Sequence, residues 1–186
     1  MKKIIKDDGK LILSFSYALN NKYIYPTLVA MTSLVINAGN NTFYNIYALV
    51  SPVFKEKNKK ILMSIEQNYN PHCKIIFINM GNEFKGVDIN NKIPTAAYYR
   101  LEIHNILPDV DRIVYMDGDT ALFQDLSELI ILDMKEIYIL GFLDSIPKAL
   151  RKFKFKNAVV LCSGVLLMYL NDLRINNISE KYIKFL

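Results

Sequence analysis

The stretch Asp111-Arg112-Ile113-Val114-Tyr115-Met116-Asp117-Gly118-Asp119-Thr120 sets the fold of this chain. An apolar run bounded by charged residues reads as a buried strand from Asp111 to Asp117. Asp117 and Asp119 then emerge where the chain leaves a sheet, and Gly118 between them allows a ligand or metal to approach the backbone closely. Two hard oxygen donors spaced one residue apart can grip one Mg²⁺ or Mn²⁺ and leave coordination positions for phosphate oxygens. The spacing alone is weak. With 11 aspartates in 186 residues, about 0.6 such matches arise by chance, and Asp109-Val110-Asp111 is a second one. Two solvated aspartates at a strand end would look the same.

Outward from this strand the chain alternates. Leu11 to Tyr17 reads as a strand closed by the turn Asn20-Asn21, and a helix follows with Pro26 in its first turn and Gly39 as a stop. Phe43 to Val50 is a second strand. Ser51-Pro52 opens a second helix carrying Val53, Phe54, Ile61, Leu62 and Ile65, and Ile75 to Ile78 is a third strand. A polar loop from Asn79 to Lys92 leads to a helix capped by Thr95 that runs to Pro108. This order demands crossover connections, so the expected fold is α/β, a mostly parallel central sheet with helices on both faces, in a single domain over residues 1–186. Ile137 to Leu143 and Val159 to Tyr169 read as further strands, and Asn171 to Leu186 begins a helix.

Composition agrees with a folded domain. Hydrophobic residues make up 52% of the chain and the formal charge is +5, with an isoelectric point near 9.0, which favours anionic ligands or surfaces. Cys73 and Cys162 lie far apart, outside any C-x-x-C or His/Cys cluster, so neither a disulfide scaffold nor a zinc finger is indicated. The apolar stretch Ala158 to Leu170 is too short for a bilayer span. Lys2, Lys3 and Lys6 before Leu11 to Leu19 mimic a signal peptide, but Asp7 and Asp8 interrupt the pattern and no cleavage site follows. A cytoplasmic protein is expected. Lys148, Arg151, Lys152, Lys154 and Lys156, interleaved with Phe153 and Phe155, read as a solvated face or a peripheral contact with the inner face of the membrane. Two phenylalanines are too few for a nucleic-acid stacking platform, and no nucleic acid partner is expected.

Several blocks in order carry a more specific signal: Ile93-Pro94-Thr95-Ala96-Ala97-Tyr98-Tyr99-Arg100-Leu101, Leu107-Pro108, the strand quoted above, and Asp125-Leu126-Ser127-Glu128-Leu129. Together they closely resemble glycosyltransferase family 8, which includes bacterial lipopolysaccharide galactosyl- and glucosyltransferases and glycogenin. The resemblance implies a Rossmann-like nucleotide-sugar fold of the GT-A type and transfer of a hexose from a UDP-sugar, with retention, to a glycan or lipopolysaccharide acceptor. It implies that Asp117 and Asp119 hold Mn²⁺ or Mg²⁺, that Gly118 lies beside the diphosphate, and that Arg100 stands near the nucleotide, where a guanidinium suits phosphate. Ala18, Asn20 and Tyr23 match positions that contact uridine and ribose, Asn20 standing where many relatives carry Asp. Asp144, ending Gly141-Phe142-Leu143-Asp144, matches a catalytic aspartate facing the donor sugar. Ser163 and Gly164 match an N-[AS]-G-V-L-L block in which Cys162 replaces the common Asn. That thiol reads as inert packing in an apolar strand.

The family's later D-Q-D and H-x-x-G-x-x-K-P-W segments do not precede Leu186, so the resemblance implies a C-terminally truncated member whose metal keeps two carboxylates, phosphates and water. His72 and His104 match no family ligand and read as surface or capping residues. The alternative is a non-catalytic remnant that binds UDP-sugar weakly or not at all. A haloacid-dehalogenase-like phosphatase would need D-x-D-x-T near the N-terminus, whereas Ala121 occupies the threonine's place. A dinucleotide dehydrogenase would need G-x-G-x-x-G after the first strand, and none is present.

Overall fold

The structure, a computed structural model, describes residues 9–69, 72–82, 84, 94–130, 132–133, 137–144 and 160–178. Its strands are β1 (Leu11–Leu19), β2 (Thr42–Val50), β3 (Cys73–Asn79), β4 (Arg112–Met116), β5 (Ile139–Leu143) and β6 (Leu161–Tyr169); its α-helices are α1 (Ile24–Ile36), α2 (Glu56–Tyr69), α3 (Ile103–Ile106) and α4 (Leu170–Ile175). Among the described residues these six strands form one sheet in the order β3-β2-β1-β4-β6-β5. β1 pairs in parallel with both β2 and β4, and β2 with β3. β6 runs antiparallel to β4 and to β5. The expected alternation therefore holds for the first four strands, and the sheet as a whole is mixed. An apolar run has the same composition in either direction, so the reversal of β6 left no mark in the sequence.

Alternating side chains of each strand divide the core between the two faces of the sheet. Phe15, Tyr17, Ile46, Ala48, Val114 and Met116 pack with Met31 and Leu34 of α1 and Leu62 and Ile65 of α2. Ile113, Tyr115, Leu166 and Met168 pack with Tyr98, Tyr99, Ile103 and Leu173 on the other face. Each such fully buried large side chain contributes about 1.5–3 kcal/mol of transfer free energy, enough to override weak local preferences.

Local boundaries depart from expectation where that packing wins. The segment expected to be one helix from Thr95 to Pro108 is a 3₁₀ turn, Thr95–Leu101, followed by the four residues of α3, and Thr95 supplies no side-chain cap. α2 starts at Glu56 rather than at Ser51-Pro52; the Phe54 N–H closes a turn onto the Ser51 carbonyl, which buries Phe54 and leaves Val53 78% exposed. α1 ends at Ile36, short of Gly39. Cys162 is exposed near the start of β6 rather than packed inside an apolar strand, whereas Cys73 is buried and its thiol is pushed up to about 11 by that burial. His104 is buried in α3, not at the surface. The basic run from Lys148 to Lys156 and the end of the helix expected to reach Leu186 lie outside the described residues.

Candidate functional site

The strand order reverses at β1: β2 and β3 extend the sheet to one side, and the chain then returns to place β4 on the other. Loops leaving the carboxyl ends of β1 and β4 must diverge there, opening a crevice. The structure has a cleft of about 180 Å³ at this place, lined by Ala18, Asn20 and Tyr23 after β1, by Arg100, and by Asp117, Gly118 and Asp119 after β4. Thr27, Pro94, Ala96, Ala97 and Tyr115 complete its wall.

Each wall has a local cause. The Asn20 side-chain carbonyl accepts the backbone N–H of Lys22 at 2.8 Å and of Tyr23 at 3.2 Å, closing the turn that launches α1. An aspartate could accept the same bonds, so the local fold does not need the charge that many relatives carry here. Its neighbour Asn21 ties this turn to the one after β2: Nδ2 donates to the Val53 carbonyl at 3.0 Å, and Oδ1 accepts from the Lys55 N–H and Asn58 Nδ2, both at 2.9 Å.

After β4, the Asp117 carbonyl accepts both the N–H and the hydroxyl of Thr120, which folds Asp117-Gly118-Asp119-Thr120 into a tight turn. The turn rests on α1. A Cβ on Gly118 would stand 2.3 Å from Thr27 Oγ1, so this glycine permits a close approach within the protein itself. Asp119 is exposed at the cleft.

The Asp117 carboxylate is held from below. Its Oδ1 accepts the Tyr115 hydroxyl at 2.7 Å and Arg100 Nη2 at 3.2 Å. Arg100 also donates Nε to the Ala97 carbonyl at 2.7 Å and Nη1 to the Ser163 carbonyl, while its guanidinium lies 4.4 Å above the Tyr115 ring. Burial pushes the Tyr115 phenol far above its ordinary value, so it stays a proton donor. The Asp117 N–H donates to the Gly164 carbonyl at 2.8 Å. Ser163 and Gly164 thus hold Arg100 and Asp117 through their backbone carbonyls, and neither lines the cleft itself.

Asp144 stands apart. It follows β5, its N–H donates to the Val160 carbonyl at 2.8 Å, and it is not among the residues lining the cleft. β5 and β4 both run antiparallel to β6, so Asp144 and Asp117 leave the sheet at the same end. No site role is assigned to Tyr115 or Thr27 from the sequence, and Asn21 reads there only as part of a turn. Tyr115 was legible, because residues two apart on a strand share a face.

Among the described residues no group of three or more His, Cys, Asp and Glu could hold a metal. Among the described residues lining the cleft, the carboxylates available to a cation are Asp117 and Asp119, a hard oxygen pair that fits a small divalent ion completing its shell with phosphate and water. Asp125, within the last of the quoted blocks, is structural: Tyr44 donates to it at 2.5 Å and Thr42 at 3.2 Å.

Solved structures with this architecture include the galactosyltransferase LgtC bound to donor and acceptor sugar analogs, with a TM-score of 0.73, 21% identity, and coverage of 87% of this chain and 59% of that one. The bifunctional glycosyltransferase WbbM follows, with a TM-score of 0.72, 16% identity, and coverage of 92% and 35%. At these identities the likeness is one of fold, the GT-A architecture. A lipopolysaccharide 1,2-glucosyltransferase of Escherichia coli is 22% identical over 196 aligned positions, covering 100% of this chain and 56% of its own length. The chain spans about half the length of the curated relatives it matches. Residues 14–186 match Glycosyl transferase family 8, and the chain belongs to that family.

Proposed function

We propose that this chain is the donor-binding part of a retaining hexosyltransferase that uses a UDP-sugar and transfers the hexose to a glycan or lipopolysaccharide acceptor. The observation that carries the reading is the cleft at the strand-order reversal, where Asp117, Asp119 and Arg100 converge with Ala18, Asn20 and Tyr23. In this reading the uridine and ribose lie against the β1 side, and the diphosphate points toward the turn after β4. Asp117 and Asp119 hold Mn²⁺ or Mg²⁺, which when bound neutralises the charge that develops on the departing UDP. Arg100 adds a fixed positive charge beside the diphosphate, although three of its contacts already bind it to the protein. Asp144 accepts hydrogen bonds from hydroxyls of the donor sugar. An acceptor carried on lipopolysaccharide would bring the protein to the cytoplasmic face of the membrane, the surface that the basic and aromatic run from Lys148 to Lys156 suits.

A second reading, a UDP-sugar-binding domain without transfer activity, is favoured by the two-carboxylate donor set among the described residues. Incubating the protein with UDP-glucose or UDP-galactose and Mn²⁺ and following UDP release separates the two. Release that needs the ion supports the transferase; saturable donor binding without release supports the binding domain. A folded protein that does neither contradicts both.

A further inference from the structure

The two oxygens of Asp117 have different surroundings. Oδ1 is taken by the Tyr115 hydroxyl and the Arg100 guanidinium. Oδ2 accepts no hydrogen bond among the described residues, and it faces Gly164, where a Cβ would stand only 3.0 Å away. One side of the carboxylate is therefore filled by donors, and the other is kept open by a glycine. Tyr115 itself is 1% exposed, with the Arg100 guanidinium lying over its ring, so the hydroxyl that holds Oδ1 is not free to swing away.

We propose that Tyr115 is a positioning residue that restricts Asp117 to ligation through Oδ2 alone, and so selects the size of ion the site accepts. This rests on the reading of Asp117 as a metal ligand. A carboxylate can meet a cation with one oxygen or with two. Ca²⁺ takes six to eight oxygens at about 2.3–2.6 Å and readily accepts the two-oxygen mode, whereas Mg²⁺ demands an octahedron at about 2.0–2.1 Å, and Mn²⁺ shares its octahedral oxygen preference. Donors on Oδ1 compete with a second metal bond and fix the carboxylate plane. The site is thereby biased toward the smaller ions. Gly164 complements Tyr115 by leaving space beside the one oxygen that remains available.

Tyr115→Phe removes only the hydroxyl and leaves the ring beneath Arg100. The test is calorimetric titration of UDP into wild type and variant, in Mn²⁺ and in Ca²⁺, with a thermal melt of each. Wild type should bind UDP more tightly in Mn²⁺. In Tyr115→Phe the ratio of affinity in Ca²⁺ to affinity in Mn²⁺ should rise about tenfold, a change that loss of packing alone would not produce because both ions would suffer equally. An unchanged ratio overturns the assignment of Tyr115 while leaving the metal reading intact. A wild-type protein whose UDP binding ignores both ions overturns the metal reading and this assignment with it. Should Tyr115→Phe fail to fold, Gly164→Ala probes the same asymmetry from the other side: a methyl against Oδ2 should weaken UDP binding at least tenfold more in Mn²⁺ than in chelator, and an equal loss in both conditions overturns the proposal.

Discussion

Gly118 packs against Thr27 so closely that a Cβ at residue 118 would stand 2.3 Å from the threonine Oγ1. The turn carrying both candidate metal aspartates is thus seated on the first turns of α1. Gly118→Ala should destabilise the fold by about 1–3 kcal/mol through overpacking and weaken UDP binding, because the turn must lift. Thr27→Ala removes the clashing atom and leaves Thr27 Cβ 3.4 Å away. The double variant should recover most of the stability lost by Gly118→Ala alone, and denaturant melts of the four proteins measure that coupling. Strict additivity would show that the contact does not hold the turn.

Asp125 supplies a pH-dependent brace. Burial raises its carboxyl pKa, but donors from Tyr44, Ser127, Gly39 and Thr42 outweigh that and hold it below the ordinary 3.8. The stabilisation is therefore fully present above 3.8 and is lost as pH falls through the lower folded value. Asp125→Asn should cost about 1–2 kcal/mol at neutral pH and flatten the loss of stability in acid. Urea melts from neutral pH down to pH 2 check this, and an equally steep acid limb in the variant would place the effect elsewhere.

Arg174 closes the far end of the second face. Its Nη1 donates to the carbonyls of His104 at 3.0 Å and Leu107 at 3.2 Å, its Nη2 to that of Val110 at 3.2 Å, and Asp111 Oδ1 lies 3.6 Å away. The guanidinium satisfies carbonyls at and beyond the end of α3 from two separate nitrogens held in one plane, a spread that the single nitrogen of an ammonium does not reproduce. Arg174→Lys should lower stability by about 1–2 kcal/mol yet leave UDP affinity within twofold, since Arg174 does not line the cleft. Calorimetry beside a thermal melt separates the two effects.

Much of the sheet was legible because the apolar runs Leu11 to Tyr17 and Phe43 to Val50 are short, rich in branched and aromatic residues, and separated by turn residues, and the structure extends them only to Leu19 and back to Thr42. Position along β1 and β4 then brought Ala18, Asn20 and Asp117 to one end of the sheet. What was not legible depends on partners distant in sequence. Arg100, on the 3₁₀ turn, finds the Ser163 carbonyl, and Asp117 finds the Gly164 carbonyl where the antiparallel pairing of β4 with β6 ends. Backbone carbonyls have no residue identity to read. The burial of His104 likewise depends on packing that no local pattern encodes.

In the proposed function Asp117 ligates the metal that holds a nucleotide diphosphate. The most direct measurement is calorimetric titration of UDP into wild type and Asp117→Ala, each with Mn²⁺ and with chelator. Wild type should bind UDP in Mn²⁺ and lose at least tenfold in affinity in chelator, and Asp117→Ala should bind no better in Mn²⁺ than wild type does without it. Equal affinity of the folded variant and wild type in Mn²⁺ would contradict the claim.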